Sequence, residues 1–234
     1  MIDKINAIWG IDNNTSKLDK FTGYEHLYDK FDTYTKEVYY ANPQQTIQEV
    51  YDLYRSVNLV PITYFTEQGM IDELKNFKSR GYNHVVDNIQ GLGNNAGSSI
   101  GRFLFPNMMT AEPKGRGSNS LRDRFLDEKK LKRAIRICFE FRDSNKLVYP
   151  MSLRTALELV TGENVTNFKA QHARSIVEHL CPVMWGRVYD YSMGYGGRLL
   201  GVSASNMNYT YIGTDPNTET FAYLEYLFIS DCTL

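Results

Sequence analysis

The chain has 234 residues and carries 26 Lys+Arg against 27 Asp+Glu, so at a formal charge of -1 bulk attraction to nucleic acid is not its leading feature. A hydrophobic fraction of 42% with 23% charged residues excludes general disorder, and the length fits one large domain or two small ones. The opening Met1-Ile2-Asp3-Lys4-Ile5-Asn6 lacks the basic patch and apolar run of a secretory signal, and no stretch is long enough to span a bilayer, so the sequence reads as a soluble cytoplasmic protein without a membrane partner.

To about residue 160 the pattern is helical. From Pro43 to Ser56 the residues Ile47, Val50, Tyr51, Tyr54 and Val57 share one face behind Asn42 and a first-turn proline, which predicts an amphipathic helix. The run Leu59 to Phe65 is the best strand candidate of this half. A second helix starts near Glu67, presents Met70, Ile71, Leu74 and Phe77, and stops near Gly81. Two turn-rich stretches follow, Gly91 to Gly97 and Lys114 to Ser120, and read as loop. A third helix begins near Asp127 with Leu131, Ala134, Ile135 and Cys138, and a fourth at Ser152 with Leu153, Ala156, Leu157 and Val160, ending at Gly162.

Between Lys114 and Lys146 eleven Lys/Arg face five acids, a local charge of +6 that leaves the remainder acidic. Such a segment suits a phosphate backbone, with Lys114, Arg116, Arg122, Arg124, Lys129, Lys132 and Arg133 as the candidate contacts; a solvated helix face of mixed charge gives the same pattern. The three cysteines, Cys138, Cys181 and Cys232, are odd in number and far apart, and His172 and His179 lack a third ligand at suitable spacing. Free thiols and no metal site are expected.

After Gly162 the pattern changes. Thr166 or Asn167 is placed to cap a helix carrying Ala173, Ile176, Val177 and Leu180, which Cys181-Pro182 ends. A short strand, Arg187 to Tyr191, leads into the turn Ser192-Met193-Gly194-Tyr195-Gly196-Gly197 and a small-residue helix through Arg198-Leu199-Leu200-Gly201. A second strand, Tyr209 to Asp215, precedes a helix from Thr218. In a parallel strand-helix-strand unit the helix N-terminus presents unpaired N–H groups at the carboxyl edge of the sheet, and glycines let a ligand approach the backbone. Asp190 ends the first strand and Asp215 the second, 25 positions on, near the interval at which a carboxylate meets ribose hydroxyls. No Lys-Ser/Thr follows the glycines, so this is not the phosphate loop of nucleotide hydrolases.

The segment Val188 to Gly201, with Tyr211-Ile212-Gly213-Thr214-Asp215-Pro216-Asn217, resembles the cofactor motifs of phage and bacterial S-adenosylmethionine-dependent DNA amino-methyltransferases, over roughly residues 164–228. With the helical pattern over 1–160, the resemblance implies an α/β chain that ends in a partial Rossmann-like cofactor unit over 161–234. It implies that Asp190, Ser192 and the turn Gly194, Tyr195, Gly196 and Gly197 face the methionine end of S-adenosylmethionine, helped by Asn167 and Phe168. Asp215 would hold the ribose and Pro216 would pack on adenine. The family's Asp/Asn/Ser-Pro-Pro-Tyr/Phe motif, which reads the target amine, is missing, since the chain contains no Pro-Pro. No catalytic residue is therefore assigned.

Two strands alone neither bury both faces nor satisfy their edges. Extra strands are expected from the N-terminal region or from a second polypeptide. The leading expectation is the cofactor-binding part of a DNA methyltransferase, inactive alone, with DNA as partner. Its rival is a phage-encoded, non-catalytic protein that binds a nucleic-acid-processing or defence complex through a methyltransferase-derived scaffold. Among the aromatics, Tyr195 inside the turn is the one singled out for a ligand.

Overall fold

The computed structural model describes residues 2–11, 18–79, 95–113, 119–142, 145–161 and 164–228. In chain order these form α1 (Ile2–Trp9), β1 (Lys20–Phe21), a 3-10 turn (Glu25–Leu27), α2 (Tyr28–Thr33), α3 (Lys36–Ala41), α4 (Pro43–Val57), β2 (Tyr64–Phe65) and α5 (Glu67–Ser79). There follow α6 (Ser98–Leu104), α7 (Pro106–Thr110), α8 (Leu121–Leu126), α9 (Glu128–Glu140), α10 (Pro150–Leu159), α11 (Ala170–Leu180), β3 (Trp185–Asp190), α12 (Gly197–Ser203), β4 (Asn208–Gly213) and α13 (Thr218–Phe228). The protein thus mixes helix with two small sheets, β1 with β2 and β3 with β4. No described helix is long and apolar enough to cross a membrane.

The chain forms two compact units that interleave along the sequence: Met1–Asp19, Phe65–Met108 and Thr166–Leu234 in one, Lys20–Tyr64 and Met109–Val165 in the other. The expected division near residue 160 lies beside one chain crossing, but the first unit also takes in Met1–Asp19 and Phe65–Met108.

The second unit is mainly helical. Helix α4 starts as its sequence demands, with Pro43 in the first turn and the Asn42 side chain accepting from the Gln45 N–H, and it ends at Asn58 in the left-handed region. Its buried face meets an aromatic cluster in which Phe31 stacks on Tyr54 at 5.3 Å and Tyr28 on Tyr149 at 4.7 Å. Buried tyrosines need a partner for the hydroxyl: Tyr54 donates to the Val148 carbonyl at 2.6 Å, and Tyr24 to that of Leu59. Ser120 and Asp123 form a reciprocal capping box on α8, and the Asp127 side chain caps α9. Helix α10 begins at Pro150, ahead of the expected Ser152, because proline fits the first turn. Cys138 is buried in α9, and its thiol is pushed up to about 12 by burial. Cys181 is exposed, and Cys232 lies outside the described residues, as do Gly81 and Gly162.

In the first unit α11 packs on α12 at close range, since a Cβ on Gly201 would stand 2.3 Å from the Ala170 carbonyl oxygen and 2.6 Å from the Ala173 Cβ. A buried ion pair stiffens α11. Arg174 Nε donates to Glu178 Oε1 at 3.2 Å, the guanidinium also donates to the Phe77 carbonyl, and the same Glu178 oxygen accepts from the Asn206 N–H at 2.7 Å. Strands β3 and β4 pair in parallel through α12, Trp185 opposite Asn208 and Asp190 opposite Gly213. Of the Leu59–Phe65 candidate only Tyr64–Phe65 is strand, and it pairs with β1 rather than extending β3–β4.

Candidate cofactor site

The β3–α12 turn is laced to the end of β4. The Thr214 N–H donates to the Asp190 carbonyl at 2.8 Å and the Met193 N–H to the Thr214 carbonyl at 3.0 Å. Gly194 and Gly196 take φ of 52° and 69°, the left-handed region in which a side chain is strained. Gly196 and Gly197 also permit close approach. A Cβ on Gly196 would meet the Phe105 ring at 2.7 Å, and one on Gly197 would lie 1.9 Å from the Phe168 carbonyl oxygen. Gly194 has only the Ser192 carbonyl at 4.0 Å.

Asn167 does not cap α11, which begins at Ala170 behind Lys169. Its amide is used across the turn: Nδ2 donates to the Tyr195 carbonyl at 2.7 Å and Oδ1 accepts from the Gly197 N–H at 3.2 Å. The first N–H of α12 therefore has an internal partner. Phe168 follows, with the Arg198 guanidinium 5.4 Å above its ring.

Asp190 is held by three donors. Oδ1 accepts from the Ser192 N–H at 3.1 Å, and Oδ2 accepts from Arg198 Nε at 2.6 Å and from the Tyr211 hydroxyl at 2.5 Å. Partial burial pushes this carboxyl up, but the Tyr211, Arg198 and Ser192 hydrogen bonds together outweigh it and hold the group below its ordinary value. The Tyr211 phenol is pushed far up, first by burial and then by the adjoining carboxylate.

Asp215 makes a different set of bonds. Oδ2 accepts from the Gly194 N–H at 2.8 Å and Oδ1 from the Asn217 N–H at 2.9 Å. Asn217 in turn caps α13 by accepting from the Glu219 and Thr220 N–H groups. A carboxylate offers about four lone-pair sites, so Asp215 keeps acceptor capacity at a partly exposed position. Tyr195 lies close enough to Asp215 and Glu219 that their charges, after burial, push its phenol up. Ser192 and Pro216 are exposed.

No protein-family model, curated protein or solved structure matches the chain.

The structure brings Asn167, Phe168, Asp190, Ser192, Gly194, Tyr195, Gly196, Gly197 and Asp215 around one turn, with Pro216 next in the chain. Sequence reasoning missed Arg198, Tyr211 and Phe105. One signal was available: Arg198 lies in the first turn of α12, where the helix dipole disfavours a cation, so a nearby carboxylate had to offset it.

The basic stretch lies in the other unit. There Arg124 is a correction, since it is only 1% exposed and its guanidinium is bonded to the Asn119 and Leu157 carbonyls and to Asn164 Oδ1. It is an internal strut and offers no phosphate contact. Lys132 pairs with Glu128 at 2.5 Å and sits 4.8 Å over the Tyr51 ring. Arg122, Lys129 and Arg133 are exposed, the last two one turn apart on α9, while Lys114 and Arg116 lie outside the described residues.

Proposed function

We propose that the β3–α12–β4 unit is a partial Rossmann-like S-adenosylmethionine site, the cofactor-binding part of a DNA amino-methyltransferase-like protein that does not complete methyl transfer alone. The supporting observation is the glycine turn between two parallel strands with Asp215 beside it, held by backbone N–H groups and with acceptor capacity to spare. At the ribose end the residues fit the cofactor: Asp215 would accept from hydroxyls, and exposed Pro216 would offer a flat apolar surface to adenine. At the methionine end they do not fit as arranged, because Asp190 already has a cation in Arg198 and the Gly197 N–H is taken by Asn167. The bound cofactor would supply an electrophilic methyl group, and the chain lacks the Pro-Pro motif that would present an amine to it.

That mismatch favours a second reading, a non-catalytic interaction protein that keeps the scaffold after losing the ligand. Calorimetric titration with S-adenosylmethionine and S-adenosylhomocysteine separates the two. Binding that disappears in Asp215→Ala, with the fold intact by circular dichroism, supports the cofactor site. Absence of heat from both ligands at millimolar concentration rejects it and favours the interaction scaffold.

A further inference from the structure

We infer that the turn between β3 and α12 takes an adenine nucleoside whose 5′ substituent carries no charge, and turns away the charged amino-acid tail of S-adenosylmethionine. The inference rests on the adenosyl reading proposed above and narrows its ligand. That tail brings an ammonium and a carboxylate. Each leaves water at a high cost unless the site offers an opposite charge or an uncommitted hydrogen-bond partner.

The chain has already used the groups that would serve. An ammonium needs a carboxylate, and the one at the end of β3 is Asp190, whose side chain is 10% exposed. Its Oδ2 accepts from Arg198 Nε at 2.6 Å and from the Tyr211 hydroxyl, and its Oδ1 accepts from the Ser192 N–H. A charge-assisted bond of that length is among the stronger ones, and the Arg198 guanidinium also lies over the Phe168 ring. Freeing Asp190 for a ligand would leave a partly buried cation without its counter-charge. The carboxylate of the tail needs a backbone donor, and there Asn167 stands in the way. Its Oδ1 accepts from the Gly197 N–H while its Nδ2 donates to the Tyr195 carbonyl, so one amide occupies both a donor and an acceptor of the turn. The same occupancy disfavours a 5′-phosphate, since the first N–H of α12 is spent and Arg198 is already paired.

The other end of the turn is arranged differently. Asp215 accepts from the Gly194 and Asn217 N–H groups and keeps lone pairs for ribose hydroxyls, with exposed Pro216 next in the chain. Contacts are therefore on offer to ribose and base, and none to a charged tail. A neutral hydroxyl or thioether at the 5′ position needs no counter-ion and displaces no arginine.

The test is calorimetric titration of the whole chain with adenosine, 5′-methylthioadenosine, S-adenosylhomocysteine and adenosine 5′-monophosphate. The second and third ligands share a thioether and differ by the charged amino-acid group, so their ratio reads the tail alone. Adenosine and 5′-methylthioadenosine are expected to bind alike, and the two charged ligands at least about 10-fold more weakly. In Arg198→Ala, which leaves Asp190 its Tyr211 and Ser192 donors, S-adenosylhomocysteine should gain about 10-fold while 5′-methylthioadenosine is unchanged. The wild-type series decides by itself if that variant does not fold. S-Adenosylhomocysteine binding as tightly as 5′-methylthioadenosine overturns the inference and leaves the adenosyl reading standing. Tighter binding of the monophosphate than of adenosine overturns it as well, because a cation would then be free at the tail end. So does an Arg198→Ala protein, folded by circular dichroism, in which the ratio does not move. Absence of binding by all four ligands rejects the adenosyl reading, and the inference falls with it.

Discussion

One aspartate ends β3 and another lies two residues past the end of β4, which stops at Gly213 rather than at the expected Asp215, and the two are held in opposite ways. Asp190 meets a guanidinium, a phenol and one backbone N–H, while Asp215 meets backbone N–H groups only. The first is an electrically closed unit. The second keeps part of its acceptor capacity. An acid at a strand tip is thus not a ligand by position alone: the residues that open the next helix decide whether its charge is spent internally, and Arg198 decides it for Asp190.

The glycines between the two tips give the largest expected effect. In Gly197→Ala the new Cβ would fall 1.9 Å from the Phe168 carbonyl oxygen and 2.7 Å from Asn167 Oδ1, so backbone must move. A loss of about 3 kcal/mol or more is expected, beyond ordinary overpacking. Gly194→Ala meets nothing closer than 4.0 Å and bears only the strain of φ 52°, about 1–2 kcal/mol. Chemical denaturation of the pair measures the contrast, and equal losses would show that the turn relaxes as a whole.

Replacing the acids sharpens the comparison. Asp190→Ala leaves Arg198 without its carboxylate and is expected to cost about 2–3 kcal/mol, whereas Asp215→Ala frees two N–H groups that water can reach and costs about 1 kcal/mol. The difference is pH-dependent with a definite sign. Because the folded Asp190 carboxyl is held below its unfolded value, its stabilisation is fully present above the ordinary carboxylate range near about 4 and is lost as pH falls through that range to the depressed folded value. Wild type and Asp190→Asn, compared by urea denaturation, should differ by a constant amount above about pH 5 and converge below it. A gap that widens on acidification would contradict the assignment.

How much of this was legible in the sequence depended on range. Pro43 with Asn42 and the capping Asp127 fixed helix starts because their partners lie within four residues. The order strand, glycine turn, helix, strand was legible too, since glycine spacing and apolar runs are local. Asn167 was misread as a cap because its partners, Tyr195 and Gly197, lie 28 and 30 positions away. Arg124 looked like one more surface charge because Asn164, 40 positions on, completes its shell only in the fold. The exposed outer face of β3 was also hidden, since the residue types Trp185, Tyr189 and Tyr191 do not show which face of a strand goes uncovered.

The smallest expected effect tests whether the closed acid can be opened. Tyr211→Phe removes one donor from Asp190 Oδ2 and leaves Arg198 and the Ser192 N–H in place. The stability loss should be about 1 kcal/mol, the net worth of one hydrogen bond. The Asp190 carboxyl should titrate higher, visible as a midpoint at higher pH in the titration curve of its side-chain carboxyl carbon resonance. Opening one lone pair while the guanidinium stays put leaves the local charge unchanged. S-Adenosylmethionine affinity in Tyr211→Phe should therefore rise little, and a clear rise only in the double variant Tyr211→Phe with Arg198→Ala would show that the arginine's charge, not the count of hydrogen bonds, closes the methionine end.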